Sequence, residues 1–177
     1  MTQEHVKTGK DNRNGAKQDR LLTPEIKAMI GQETVLMGKE AIDKSSIRRY
    51  AQAILDLNPI YFDEDFAKNS NHGTIIAPPT YIFDVSHDIF ADTGKDGRDL
   101  TRITIDGLQA IRGGNEYQFK KPAKVGDVIN AKRKIIDIYE KEGKTAGSIL
   151  FIVYDITYTN QKDEVLGISR ETMMFIK

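Results

Sequence analysis

The feature that most constrains the fold is a series of long β-like segments in the second half of the chain. Turn chemistry separates them: Pro122 with Gly126, then Gly143, then the polar stretch 160–163. Residues 149–154 are apolar on both faces, which predicts a central strand covered on two sides. The four predicted strands are Asn115–Lys120, Val128–Tyr139, Gly147–Thr159 and Leu166–Ile176.

An apolar helix is predicted just before these strands, at residues 77–90. Pro78 and Pro79 stand where the helix can begin, and large apolar groups occur on nearly every side of it. A helix that is apolar on nearly every side must be enclosed by the rest of the protein. The apolar face of a sheet must likewise be covered by another element. The sequence therefore predicts an α+β fold with one antiparallel sheet around this helix. A loop is predicted at residues 92–101.

Shorter elements are predicted before that helix. Thr23 and Pro24 are typical of a helix start, and Gly31 is typical of the residue that closes a short helix. A strand is predicted at residues 34–40. A second helix begins at Asp43, because the apolar residues that follow recur at three- and four-residue spacing.

Length and charge exclude several classes of function. The 177 residues fit one domain. The 26 basic residues balance the 26 acidic residues, so the excess of positive charge that favours nucleic-acid binding is absent. Residues 1–20 are almost without apolar side chains, which predicts a disordered tail before a folded domain at 21–177. No apolar run approaches the roughly 20 residues that span a bilayer, so no membrane association is expected.

The chain contains no cysteine, which excludes a disulfide framework, a thiolate nucleophile and a Cys-ligated metal site. Its three histidines are scattered and offer no ligand spacing, so no metal site is expected. Because no signal peptide is evident, the cytoplasm is the expected location.

Residues 55–67 are the most informative stretch: Leu-Asp-Leu-Asn-Pro-Ile-Tyr-Phe-Asp-Glu-Asp-Phe-Ala. The run resembles the signature of the MaoC-like hydratase and dehydratase family, Gly-Asp-x-Asn-Pro-aliphatic-His. Further resemblance lies in residues 76–80, 121–127 and 158–160, so it extends over about residues 25–177. The Pro-Pro-Thr run at 78–80 is most similar to the N-terminal half of two-domain hydratases and to the larger-type subunit of heterodimeric ones.

The resemblance implies a hot-dog fold, in which the sheet wraps the helix that begins near Pro79 and two hot-dog units pair into one continuous sheet. It also implies (R)-specific hydration of enoyl thioesters, or dehydration of 3-hydroxyacyl thioesters, without a cofactor. The thioester is carried by CoA or by an acyl carrier protein. In active members the motif Asp and His deprotonate the water that adds to the substrate, and a backbone N–H at the start of the central helix polarises the thioester carbonyl.

The sequence departs from the family pattern at two positions. Tyr61 occupies the place of the motif histidine, and a phenol with a reference pKa near 10 is a poor base at neutral pH. Pro79 occupies the place of a glycine whose N–H faces the carbonyl, and proline has no N–H. Thr80 or Tyr81 could supply that N–H only if the backbone were arranged differently.

Asp56 and Asn58 match the motif, and two interpretations of them stay open. They retain part of a water or substrate site, or they only satisfy backbone groups after the helix. His72 is either a solvated loop residue or a replacement for the missing base, and His87 on the central helix is interpreted as a core histidine. Arg112 either binds a phosphate of the substrate or is a solvated charge at a strand end, and the Gly-Gly pair after it is a turn or bulge.

Three functions follow from the sequence. The first is a catalytically degenerate, acyl-binding subunit whose histidine comes from a second hot-dog chain. The second is a self-sufficient homodimer that uses Asp56 with Tyr61 or His72, and the third is a non-catalytic acyl-CoA-binding scaffold. The expected assembly is a homodimer, or a heterodimer or heterotetramer with the second chain. The predicted site residues are Asp56 and Tyr61 for catalysis, with Asn58, Pro79, Thr80, Tyr81 and Arg112 for substrate.

Overall fold

The computed structural model describes residues 20–83, 103–143 and 147–177. The described helices are α1 (Pro24–Lys27), α2 (Lys44–Ala53) and α3 (Glu64–Lys68), with a 3₁₀ turn at Pro59–Tyr61 between α2 and α3. The described strands are β1 (Glu33–Leu36), β2 (Gln109–Phe119), β3 (Asn130–Gly143), β4 (Gly147–Thr159) and β5 (Val165–Ile176).

These strands form one sheet in the order β1-β3-β4-β5-β2, and every neighbouring pair is antiparallel. β4 lies at the centre of the order, which confirms the prediction made from its two apolar faces. Both ends of β4 match the predicted bounds, and β5 begins one residue earlier than predicted.

One face of the sheet, called the inner face below, carries the core. Side chains alternate between the two faces of a strand, and in β4 the inner-face residues are all buried. They are Leu150, Ile152, Tyr154, Ile156 and Tyr158. β5 continues this face with Gly167, Ser169, Glu171, Met173 and Phe175, which lie opposite them in the register.

Residues 81–83 are helical and form the entry of the predicted enclosed helix. Ile82 and Phe83 are buried against Gly167 of β5. A Cβ built on Gly167 would lie 2.8 Å from Ile82 Cδ1 and 3.0 Å from Phe83 Cζ, so a glycine is needed where the helix entry approaches the sheet. The rest of the predicted helix, with His87, and the predicted loop at 92–101 lie outside the described residues.

The prediction for the strand that begins at Asn115 was wrong at its start, because β2 begins at Gln109. The Gly-Gly pair is a bulge inside the strand, where the register with β5 shifts between Arg112 and Gly114. All residues of β2 are exposed, and within the described chain β2 pairs with β5 alone. β1, at Glu33–Leu36, is shorter than the strand predicted at 34–40.

Both predicted helix starts are confirmed. The Thr23 hydroxyl accepts a hydrogen bond from the Ile26 N–H at 3.3 Å, and the Asp43 carboxylate accepts one from the Ser46 N–H at 2.7 Å. α1 ends at Lys27, and turns carry the chain on to Gly31, whose φ is +91°. Residues 1–19 of the predicted tail lie outside the described residues. Among the described helices, none has the length and apolar character needed to cross a membrane.

Candidate active site

The segment 55–61, called the motif segment below, follows directly from the end of α2. Ile47 and Ala51 bury the apolar face of α2, and the helix ends at Ala53. Leu55 takes a left-handed conformation with φ of 58°, which lets the Asp56 N–H donate to the Ala51 carbonyl at 2.9 Å. The chain reverses here, and Asp56 is fixed beside the helix end.

Two local hydrogen bonds shape the rest of the motif segment. The Asp56 carboxylate accepts from the Asn58 N–H at 3.2 Å, and the Asn58 side-chain oxygen accepts from the Ile60 N–H at 3.1 Å. Pro59 then begins the 3₁₀ turn, which ends at Tyr61. Asp56 and Asn58 therefore both accept hydrogen bonds from backbone N–H groups, which is one of the two interpretations that the sequence left open.

The Tyr61 phenol lies close enough to the Asp56 carboxylate for the charge of Asp56 to act on it, so these two motif residues form a pair. Tyr61 is only 7% exposed. Burial raises the pKa of Tyr61 above its ordinary value of 10, and the negative charge and acceptor oxygens of Asp56 raise it further. At neutral pH the phenol therefore keeps its proton, so Tyr61 cannot take a proton from water.

The entry of the central helix is joined to α2 by two side-chain hydrogen bonds. The Tyr50 hydroxyl donates to Thr80 Oγ1 at 2.9 Å, and the Tyr81 hydroxyl donates to Ser46 Oγ at 2.9 Å. The rings of Tyr50 and Tyr81 meet edge to face with 5.2 Å between their centroids. α2 is therefore bonded to Thr80 and Tyr81 at the helix entry, and its C-terminal end leads directly into the motif segment.

The residues at this entry differ in whether they have a backbone N–H and in whether that N–H is already hydrogen-bonded. Pro79 has no N–H, and the Tyr81 N–H donates to the Pro78 carbonyl at 2.9 Å. Within the described residues the N–H of Thr80 is used by no hydrogen bond, and Thr80 is exposed. Of the positions considered from the sequence, Thr80 is the one that can offer a backbone donor to an oxyanion.

Most of the chain is similar to one family of known proteins. Residues 28–168 match the family model described as "FAS1-like, dehydratase domain region", which is most of the chain. The chain belongs to this dehydratase family. Its fold is that of the MaoC-like hot-dog dehydratases, since the MaoC-like dehydratase from Rhodospirillum rubrum superposes with a TM-score of 0.63 at 17% identity. That match covers 84% of this chain and 92% of the other.

Two further proteins are similar to this dehydratase domain. One is the UPF0336 protein SCO4636 of Streptomyces coelicolor, 26% identical over 128 residues, which are 72% of this chain and 83% of that protein. The other is a chain of the ChsH1-ChsH2 complex from Mycobacterium tuberculosis, with a TM-score of 0.64 at 18% identity. That superposition covers 85% of this chain and 86% of the other.

Among the described residues, the contacts of His72 and Arg112 are with residues other than Asp56 and Tyr61. His72 is exposed, and its contacts within the described chain are a hydrogen bond from its N–H to Ser70 Oγ and one from Lys124 Nζ to its carbonyl. Arg112 projects from the inner face of β2 and contacts the carboxylate of Glu171 at 3.1 Å. Glu171 was not predicted as a site residue. In the described parts of the chain, no group of His, Asp and Glu side chains is arranged to hold a metal ion.

Tyr61 of the dehydratase domain should keep its proton at pH values where an ordinary tyrosine has lost it. Asp56→Asn should move the titration of Tyr61 back toward pH 10 but leave it raised, because burial remains. Since the folded domain holds this proton more tightly than the unfolded chain, the pair contributes stability below pH 10 that is lost as the pH rises through the raised pKa. NMR of ring-labelled tyrosine through an alkaline titration measures both effects.

Tyr81 is the internal control for this titration. Burial chiefly raises its pKa as well, but its other neighbours are Ser46, Asp43 and Arg49 rather than Asp56. Its titration should therefore be the same in Asp56→Asn as in the original sequence. Equal shifts of Tyr61 and Tyr81 in the variant, or none in Tyr61, would contradict the effect of Asp56 on Tyr61.

Proposed function

We propose that this chain is the acyl-binding subunit of an (R)-specific enoyl-thioester hydratase or 3-hydroxyacyl-thioester dehydratase. It encloses and positions the thioester, and a second hot-dog chain supplies the histidine that moves the proton. The substrate is an acyl-CoA or an acyl-carrier thioester, and the reaction uses no cofactor.

The single observation that carries the proposal is the Asp56–Tyr61 pair. Hydration needs a group that accepts a proton from water while the water oxygen bonds to the β-carbon of the enoyl thioester. The phenol of Tyr61 keeps its proton at neutral pH, and its raised pKa beside Asp56 makes it a worse acceptor than an ordinary tyrosine. The base must then come from elsewhere, and His72 is an exposed residue whose described contacts, with Ser70 and Lys124, are made by its backbone.

The chain retains other parts of such a site. The N–H of Thr80 is available to the thioester oxygen, which becomes negative as the enolate forms. The hydrogen bonds from α2 to Thr80 and Tyr81 keep this donor in place. Holding a substrate beside a base on a second chain is itself a catalytic contribution, because it removes the entropic cost of bringing the groups together.

Exposed apolar groups support a partner close to the motif segment. Leu55 is 83% exposed and Leu57 is 70% exposed, and they stand on either side of Asp56. β2 is an exposed edge strand with Ile111, Tyr117 and Phe119 accessible, which a second hot-dog sheet could extend. The structure similar to this chain in the ChsH1-ChsH2 complex also comes from an assembly of two different chains.

A complementation assay tests this proposal. The purified chain should hydrate crotonyl-CoA at a negligible rate and gain activity when it is mixed with a hot-dog subunit that carries an intact Asp-and-His motif. In the mixture, replacing the partner's motif histidine with alanine should lower the rate by roughly 100-fold or more, the scale of general acid-base catalysis. Tyr61→Phe in this chain should leave the rate of the mixture nearly unchanged.

Two outcomes would favour the other functions. A homodimer that works alone through Asp56 with Tyr61 or His72 should turn over without a partner and lose that rate in Asp56→Asn or His72→Ala. An acyl-CoA-binding scaffold should be stabilised by CoA esters and gain no turnover with any motif-bearing subunit. Either result would overturn the proposal of a partner-dependent hydratase.

A further inference from the structure

The inner face of β2 changes from aromatic to polar along its length. Phe119, Tyr117, Asn115 and Arg112 share this face, because each lies opposite an inner-face residue of β5. The aromatic end lies at the entry of the central helix, where the Phe83 ring is 4.5 Å from that of Tyr117 and 5.6 Å from that of Phe119. Arg112 stands at the other end, about 20 Å along the strand from Phe119.

The polar end is held by a chain of side-chain contacts. With its amide assigned in the orientation that satisfies both ends, the Asn115 oxygen accepts from the Tyr117 hydroxyl at 2.7 Å and from Arg112 Nη1 at 3.0 Å. Arg112 Nη2 lies 3.1 Å from Glu171 Oε1. The side chain of Glu171 is 10% exposed and that of Arg112 is 42% exposed, so the carboxylate anchors a guanidinium that still faces outward.

Further polar groups lie behind this pair on the inner face. Tyr154 of β4 is the register partner of Glu171, and the Arg133 guanidinium lies 5.8 Å from the centre of the Tyr154 ring. Arg133 is buried. Charged groups are costly to bury, and a hydrocarbon chain laid over Arg112 would remove its water without replacing the lost hydrogen bonds. This end of the wall is unsuited to a plain alkyl chain.

We propose that the inner face of β2 is the acyl-binding wall and that Arg112 with Asn115 binds an oxygen-bearing group on the acyl chain, distant from the thioester. This inference rests on the proposed function, which puts the thioester at the helix entry beside the aromatic end. A carboxylate at Arg112 would lie close to the negative charge of Glu171, which already pairs with Arg112, so the group recognised is a neutral hydroxyl or carbonyl oxygen. The substrate class is then an acyl thioester that is functionalised along its chain.

Calorimetric titration of the full chain with two unreactive ligands tests the inference. The ligands are the dodecyl thioether of CoA and the same thioether ending in a hydroxyl, because a chain of this length can extend from the helix entry toward Arg112. The hydroxyl form should bind roughly 10-fold more tightly, as expected for a hydrogen bond to a charged group. Arg112→Met should bring the two affinities together.

Two variants keep the test decisive. Because Arg112→Met leaves the Glu171 carboxylate without this counter-charge, the double variant R112M/E171Q removes both charges and should show the same loss of preference. Arg170→Met is the matched control, since Arg170 pairs with Asp155 on the outer face of the sheet, and it should keep the preference.

Equal binding of both ligands by the original chain, or a preference that persists in R112M/E171Q, would overturn the inference and leave the proposed function standing. Failure of both thioethers and of CoA itself to bind would overturn the proposed function as well.

Discussion

Replacing Tyr61 with histidine should raise the rate at which the isolated chain hydrates crotonyl-CoA by roughly 100-fold or more. An imidazole titrates near neutral pH, so it can accept the proton that the phenol of Tyr61 cannot. The Asp56 carboxylate already lies beside the side chain at this position and would hold the imidazole in place. In the proposed site, the N–H of Thr80, which no hydrogen bond among the described residues uses, would be the donor to the thioester oxygen.

Two controls separate restored chemistry from a general change in the protein. Tyr61→Phe removes the hydroxyl without adding a base and should stay at the background rate. In the Tyr61→His background, Asp56→Asn should remove most of the gain, because the imidazole loses its orienting carboxylate. A Tyr61→His protein that is folded, binds CoA esters and remains at background would show that a missing base is not what limits this chain.

Replacing Gly167 with valine should lower the free energy of unfolding by about 1–3 kcal/mol, the usual cost of overpacking a core. The new Cβ would lie 2.8 Å from Ile82 Cδ1 and 3.0 Å from Phe83 Cζ, and the Gln118 carbonyl oxygen is only 3.3 Å away. The helix entry must shift to make room. In thermal unfolding each kcal/mol corresponds to about 2–4 °C in Tm for a chain of this size.

Gly114→Val is the matched control for this variant. Gly114 also lies in the sheet, but a Cβ built there meets no atom within 4 Å. Its free energy of unfolding should change by no more than about 0.5 kcal/mol, as for other surface substitutions. Equal Tm values for Gly167→Val and Gly114→Val would show that the helix entry does not pack tightly on β5.

The sequence predicted strand bounds best where the hydrophobic pattern of a segment matches its burial in the fold. β4 is apolar on both faces and lies at the centre of the sheet, so both of its ends were predicted correctly. β2 lies at an edge with every residue exposed and has no apolar periodicity to mark its start. Its Gly-Gly pair was consistent with a turn or a bulge, and only pairing with β5 decides that it is a bulge.

The candidate site was predictable only in part, for a similar reason. Asp56 and Tyr61 are close in sequence, so the motif was enough to single them out as a pair. Glu171 was missed because β5 alternates weakly: polar and apolar residues occur on both of its faces, and the sequence does not tell which face the carboxylate occupies. Its contact with Arg112 depends on the register between β5 and β2, which are far apart in the sequence.

The most direct measurement is the rate at which the isolated, unmodified chain hydrates crotonyl-CoA, compared with its Tyr61→Phe variant. We expect both proteins to stay at the uncatalysed background, because the residue at the proton-accepting position is a phenol whose pKa is raised by burial and by Asp56. Turnover at an ordinary enzymatic rate by the unmodified chain, lost in Tyr61→Phe, would contradict it.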